Sequence, residues 1–219
     1  MNHELIRTET VEEAARTAGQ YILDLATEAL GSSVRFSLAV SGGRTPSAMF
    51  SAIVEMSSRL DNWDVWQVDE RIAPEGDPAR NITQVRESLG LRGATVHAMP
   101  VNADDLERAS GEYARDLPDA VDVIHLGLGA DGHTASLVPH DPALLAPGLV
   151  AVTNPYQGHQ RMTLTYSSLS RARCVVWLVT GADKRGALAS LVTNDRSIPA
   201  SHVEAGRSVI FADAAALGE

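Results

Sequence analysis

Short apolar runs alternate along this chain with longer segments whose apolar residues recur at helical spacing, and this rhythm constrains the fold more than any other feature. Val34 to Val40, Trp63 to Val68, Val121 to Leu126 and Cys174 to Val179 are β-rich and too short for helices. Val11 to Leu30 places Ala14, Ala15, Ala18, Ile22, Leu25 and Ala29 on one helical face and stops at Gly31. Pro46 to Leu60 reads as a helix, with Thr45 as N-cap and proline at its first position. Further helices are expected over Asn81 to Leu89, Ala103 to Leu117 and Asp183 to Val192. Extended pieces are expected at Ala94 to Met99, 149–153, 162–166 and Arg207 to Phe211. Strands separated by helices pair in parallel and need cover on both faces. The expected fold class is therefore α/β: a doubly wound, mostly parallel sheet with helices on both faces. The 219 residues suit one such domain, 1–219, and no repeat or Pro/Ser-rich linker divides them.

Composition excludes several function classes. Hydrophobic content of 44% and charged content of 21% are those of an ordinary soluble globular protein. No apolar run approaches the ~20 residues of a membrane span. The start, Met1-Asn2-His3-Glu4, lacks a basic segment followed by an apolar core, so no signal peptide is read and a cytoplasmic protein without membrane partners is expected. The single Cys174 excludes an internal disulfide. A net charge of −10 argues against nonspecific nucleic-acid binding. It does not exclude a small anionic substrate, because a local cluster of Arg and Lys outweighs the global field at short range.

The chemistry concentrates in loops that follow the apolar runs. Gly127-Leu128-Gly129-Ala130-Asp131-Gly132-His133-Thr134-Ala135-Ser136-Leu137 directly follows the strand Val121 to Leu126. Asp131 and His133 stand two residues apart, and a carboxylate that orients an imidazole makes a general base near neutral pH. Gly127-x-Gly129-x-x-Gly132 also matches a dinucleotide fingerprint, but the next apolar run ends in Asn154-Pro155 rather than in the required acid. Ser41-Gly42-Gly43-Arg44-Thr45-Pro46 joins a strand to a helix start and reads as an anion site suited to phosphate. The same residues resemble a degenerate nucleophile elbow around Ser41, although Pro46 delays the helix that an elbow places at once. Asp69-Glu70-Arg71 sets three ionisable residues at a strand end, and Arg161 precedes an alternating strand. Lys184 follows another strand and opens a helix, where a cation opposes the helix dipole unless an anion lies nearby. His125 lies within a strand and is expected to be a satisfied core residue. The remaining histidines show no metal-ligand spacing, so neither a metal site nor a metal cofactor is expected.

These pieces in this order resemble the 6-phosphogluconolactonase family, within the superfamily that also holds the glucosamine-6-phosphate deaminases. The matching residues are 41–46, Asp69 to Pro74 with Asn81, Gly127 to Pro139, Arg161 to Thr165 and Gly181 to Lys184, and they cover nearly the whole chain. The resemblance implies a Rossmann-like sheet. It also implies hydrolysis of 6-phospho-D-glucono-1,5-lactone, the second step of the oxidative pentose phosphate pathway, without a cofactor. Deaminases carry a glutamate five residues after the motif histidine, where this chain has Val138. A deaminase-like enzyme and a non-catalytic sugar-phosphate-binding protein are the alternatives. By the resemblance, His133 deprotonates water, Asp131 orients it, and glycine-loop amides are candidate oxyanion donors. Ser41, Gly42 and Gly43 hold the phosphate with Arg161 and Lys184; Asp69 and Arg71 line the sugar, or Arg71 reaches the phosphate. Arg44 stands where relatives often carry Ser, and its role is open. A monomer or weak homodimer is expected, with a phosphosugar lactone as the partner molecule.

Overall fold

Residues 2–219 are described in the computed structural model. Seven strands form one wholly parallel sheet. Their order is β1 (Glu4–Thr8), β10 (Arg207–Asp213), β9 (Ala172–Val179), β6 (Val121–Leu126), β2 (Phe36–Val40), β3 (Trp63–Gln67) and β5 (Thr95–His97). On one face, α1 (Val11–Leu30), α2 (Arg44–Met56) and α3 (Asn81–Ser88) bring Ala18, Ile22, Phe50, Ile53 and Val85 onto Phe36, Leu38, Val65 and Val176. On the other, α4 (Leu106–Asp116), α5 (Tyr166–Leu169), α6 (Arg185–Val192) and α7 (Ala214–Leu217) bring Tyr113, Leu169, Leu188 and Ala216 onto Ile124, Leu126, Val175 and Trp177. Successive strand residues face opposite layers, so cover on both faces makes whole strands apolar. Val123 and Ile124, neighbours in sequence, lie in the two different cores.

The winding reverses between β2 and β6. From β2 the chain winds outward through β3 and β5, then returns to the other side of β2 as β6 and continues to β9 and β10. The crevice at the carboxyl ends of β2 and β6 is where a sheet of this kind receives a ligand. The two turns there are Ser41 to Arg44 and Gly127 to His133, and Ser41 Oγ donates to the His125 carbonyl across the gap, 3.3 Å.

The structure corrects several sequence expectations. The segments expected at 149–153 and 162–166 are β7 (Val150–Val152) and β8 (Arg161–Leu164), which leave the parallel sheet and form an antiparallel one in the order β4-β8-β7 with β4 (Asp69–Arg71). Only a short tight loop joins β7 to β8, and parallel pairing needs a crossover of a dozen or more residues. Val68 carries the chain between the sheets: its N–H donates to Val40 O at 2.9 Å, and its carbonyl accepts from Leu164 N at 2.8 Å. Helix α2 begins at Arg44 with Gly43 as its cap, not with Thr45 as N-cap; Thr45 Oγ1 instead bonds Thr180 Oγ1 at 3.3 Å. Strand β1 carries no strong apolar alternation and was not foreseen; it is an edge strand paired only with β10.

Two buried ionisable groups hold this scaffold differently. Glu70 is 0% exposed. It accepts from Gln67 Nε2, Arg71 N, Asn81 N and Ile82 N at 2.8–2.9 Å, and the Arg80 guanidinium stands 3.2 Å away. The carboxylate thereby fastens the start of α3 to β4. Removing one partner from a buried charged network leaves the other uncompensated. Glu70→Ala is expected to lower stability by about 3–5 kcal/mol, measured by denaturant unfolding.

His125 is the second. It is 0% exposed, and neither ring nitrogen has a partner among the described residues, so it is buried but not the satisfied core residue expected. Burial alone pushes its pKa from 6.5 down to about 3. The unfolded chain therefore takes up a proton below 6.5 that the folded chain refuses. Stability contributed by the neutral ring is present above that pH and is lost as pH falls toward 3. His125→Leu is expected to flatten this acid loss, gaining roughly 2 kcal/mol over the parent at pH 5 relative to pH 7. Urea unfolding at the two pH values measures it.

Candidate active site

The loop after β6 is built around its histidine. Gly129 N donates to His133 O at 2.8 Å and Gly132 N to Gly129 O at 3.0 Å, which folds Gly129–His133 into a closed turn. The turn is pinned from outside by Ala200 N on Gly132 O, 2.9 Å, and by Thr134 Oγ1 on Gly127 O, 2.8 Å. His133 Nδ1 lies 2.5 Å from Asp131 Oδ1, and His133 N donates to the same oxygen at 3.2 Å. Gly129 forms the floor beneath this pair: a Cβ there would fall 2.1 Å from His133 Nδ1 and 2.6 Å from Asp131 Oδ1. Partial burial acts to raise the Asp131 carboxyl. Hydrogen bonds from the His133 ring and amide and from the Tyr156 hydroxyl, with the attraction of the ring, outweigh it and hold the group below the ordinary carboxylate range. An ionised carboxylate only accepts, so the shared proton sits on Nδ1 and the lone pair of His133 sits on Nε2.

A continuous line of contacts runs from this pair to the phosphate-type turn. Tyr156 Oη donates to Asp131 Oδ2 at 3.0 Å. Arg161 reaches back to Tyr156 O at 3.5 Å and donates to Ser136 Oγ at 3.4 Å. Ser136 Oγ donates to Asp69 Oδ2 at 2.6 Å. Asn81 Nδ2 donates to Asp69 O at 3.2 Å, and Arg71 Nη1 donates to Asn81 Oδ1 at 2.6 Å and to Ala79 O at 3.0 Å. The Asn81 side chain closes onto Gly42, where a Cβ would lie 2.2 Å from Asn81 Oδ1. The tertiary structure thus brings Asp131, His133, Arg161, Asp69, Arg71 and Gly42 together from four separate stretches of chain.

Two of the buried members of this line, Asp69 and Arg161, are charged. Asp69 is 5% exposed; burial raises its carboxyl, while the Ser136 hydroxyl and the charges of Arg71 and Arg161 pull it back. Arg161 is 4% exposed; burial lowers its guanidinium, and Asp69 offsets part of that. Its Nε has no partner among the described residues. An arginine fork held in a dry site with a donor unspent is suited to an anion.

The other predicted residues join this place less closely. Ser41 gives its hydroxyl hydrogen to a backbone carbonyl rather than to a base, which removes the nucleophile reading. Gly43 N donates to Gln84 Oε1 at 3.2 Å, and Arg44 is exposed at the first residue of α2. Lys184 ends a short 3-10 turn, Ala182–Lys184, and pairs with Asp183 at 3.0 Å. The Thr45–Thr180 bond sets that turn beside the start of α2. Glycine-loop amides are weaker oxyanion donors than expected: those of Gly129, Gly132 and His133 are spent within the loop. The dinucleotide reading also fails, because the loop leads into a Thr134–Leu137 bridge and not into a helix that could cradle a pyrophosphate. Among the described residues no three His, Cys, Asp or Glu side chains group as metal ligands.

Two residues of this line of contacts escaped the sequence reading. Ser136 lay inside the motif without a role assigned. Tyr156 lay in a loop with no pattern beyond Asn154-Pro155 and Gln157-Gly158, and only folding places it on Asp131. The closeness of Gly129 to the pair has a direct consequence. The 2.5 Å His133–Asp131 bond is expected to give a strongly downfield Nδ1 proton signal by NMR, and Gly129→Ala is expected to abolish it.

Comparison with known proteins places the chain in a family. The family model described as glucosamine-6-phosphate isomerases/6-phosphogluconolactonase matches residues 9–211. A 6-phosphogluconolactonase of Synechocystis sp. is 34% identical over 179 residues, covering 75% of each chain. A 6-phosphogluconolactonase of Streptomyces coelicolor is 31% identical over 215 residues, covering 86% of this chain and 82% of its own. The crystal structure of 6-phosphogluconolactonase from Thermotoga maritima superposes with a TM-score of 0.88 at 24% identity, covering 97% of this chain and 100% of that one, a likeness of fold. With its winding reversal, its Asp–His turn and a match along almost its whole length, this chain belongs to the glucosamine-6-phosphate isomerase/6-phosphogluconolactonase family.

Proposed function

We propose that this protein hydrolyses 6-phospho-D-glucono-1,5-lactone to 6-phospho-D-gluconate with a water activated by His133. The observation that carries the reading is the locked imidazole: Asp131 Oδ1 holds Nδ1 at 2.5 Å, which leaves Nε2 as the base. Nε2 takes a proton from water as the water oxygen bonds to C1 of the lactone. The carbonyl electrons move to the exocyclic oxygen, and the imidazolium is stabilised by Asp131. The intermediate then collapses, the C1–ring-oxygen bond breaks, and the proton returns from Nε2 to that oxygen, which leaves as the C5 hydroxyl. The new carboxylic acid loses its proton to solvent. An ester carbonyl is electrophilic enough for this route to need no metal or cofactor.

The phosphate is assigned to the turn Ser41-Gly42-Gly43-Arg44 and to the cations around it. Arg71 spends Nη1 on Asn81 and Ala79, so its other nitrogens are the ones left for a substrate oxygen. Arg161 supplies the unspent Nε of a buried fork, and Lys184 approaches from the end of β9. Asp69, already holding Ser136, lines the sugar. Val138 is 6% exposed and apolar, and supplies none of the additional acid–base chemistry that deamination with ring opening needs.

Lactone generated in situ by a glucose-6-phosphate dehydrogenase, with acid release followed above the spontaneous rate, tests the reading. His133→Ala is expected to lower the enzymatic increment by about 10²–10⁴-fold while 6-phosphogluconate still binds in calorimetry. An increment equal to the parent's would remove His133 as the base. Ammonia release from glucosamine 6-phosphate would move the protein to the deaminase side of its family.

A further inference from the structure

Tyr156 belongs to none of the sequence motifs, yet it touches more of the catalytic pair than any residue outside the glycine loop. Its hydroxyl donates to Asp131 Oδ2 at 3.0 Å, while Oδ1 of the same carboxylate holds His133. Its ring stands edge-on to the imidazole, with centroids 5.4 Å apart and planes at 69°. Arg161 Cζ lies 5.2 Å from the centre of the same ring. One side chain therefore meets the base, the carboxylate that orients it and a buried cation of the site.

Its backbone is built to hold it there. Tyr156 and His159 exchange both backbone hydrogen bonds, at 2.9 and 3.2 Å, around Gln157 and Gly158 with φ of 49° and 84°. Positive φ at both central residues is the tight hairpin turn whose twist suits strands. On the entering side Asn154 N is fastened to Asp141 Oδ2 at 3.0 Å, and on the leaving side Arg161 reaches Tyr156 O at 3.5 Å. The residue is thus anchored at the closed base of the turn, not carried on its exposed tip.

We propose that Tyr156 is a positioning residue for the Asp131–His133 pair: its hydroxyl fixes the outer carboxylate oxygen, its ring walls the imidazole, and together they keep Nε2 of His133 turned toward the substrate. The proposal deepens the hydrolase reading and rests on it for its kinetic test. Without the hydroxyl, Asp131 keeps His133 as its only side-chain donor, rotates more freely and becomes the more basic partner. A more basic carboxylate favours the protonated imidazole, which cannot accept a proton from water. The charged and titratable groups facing Tyr156 are Asp131 and His133 from the glycine loop and Arg161 from β8, with His159 across its own turn. Burial, then the bond to Asp131, raises the phenol above its ordinary range, so it remains a donor throughout the working pH.

Tyr156→Phe keeps the ring and removes only the donor. Relative to the parent, kcat for the lactone is expected to fall roughly tenfold with KM within about twofold, and the acid limb of kcat/KM is expected to move to higher pH. Tyr156→Ala is expected to fall further, since the wall goes as well. Unchanged kcat and pH profile in Tyr156→Phe, or a change in KM alone, would overturn the proposal. An NMR titration of the His133 ring in parent and Tyr156→Phe reads the same effect without turnover. A midpoint raised in the variant supports the positioning role, and an unmoved midpoint refutes it. The parent's own activity on the lactone decides the hydrolase reading separately. Matching melting temperatures establish that both variants are folded.

Discussion

The parallel pairing of β2 with β6 is the constraint on which the remaining structure depends. It is the place where the winding reverses, so the crossover helices on its two sides fall on opposite faces of the sheet and leave a crevice between the carboxyl ends of the two strands. The turn that follows β2 carries the Gly42-Gly43 backbone, and the turn that follows β6 carries Asp131 and His133. Across the gap a buried serine hydroxyl binds a backbone carbonyl, which couples the two turns without using either functional group. The Asp131–His133 pair and the Gly42-Gly43 backbone are neighbours because two strands far apart in sequence are neighbours.

The second sheet supplies what the crevice lacks. Antiparallel β4-β8-β7 branches from the main sheet at Val68 and carries Asp69, Arg71 and Arg161 to the side of the two turns. These are expensive residues to bury. The cost is offset in different ways: Glu70 is surrounded by donors, Asp69 receives a hydroxyl and two nearby cations, and Arg161 keeps one nitrogen unmatched among the described residues. The fully matched carboxylate serves the scaffold, and the incompletely matched guanidinium is the one suited to a ligand. His125, in β6, has no ring partner among the described residues, and burial lowers its pKa, so it is expected to make the fold less stable in acid.

Legibility in the sequence followed the physical range of each interaction. Helix α1 coincides with the periodicity of its alanines and isoleucine, because one apolar face and Thr10 as its cap are local properties. The Asp131–His133 pair was legible because its members are two residues apart and close within one turn. Strands β7 and β8 were legible as extended pieces but not as a separate sheet, since pairing direction depends on what the connecting chain can span. Thr45 was a plausible cap by residue type, and Gly43 displaced it because the helix begins two residues earlier.

What the sequence by itself determined is the class of fold and the pairing of the Asp131 carboxylate with the His133 imidazole, and it named the candidate cations Arg44, Arg71, Arg161 and Lys184, since each of these depends on residue type and local spacing. Only the tertiary structure decided which of those cations converge, that Ser41 binds a carbonyl instead of acting as a nucleophile, and that Tyr156 closes on Asp131. Those outcomes depend on contacts between residues tens of positions apart, where direction and distance are set by how the two sheets pack, and no local pattern encodes them.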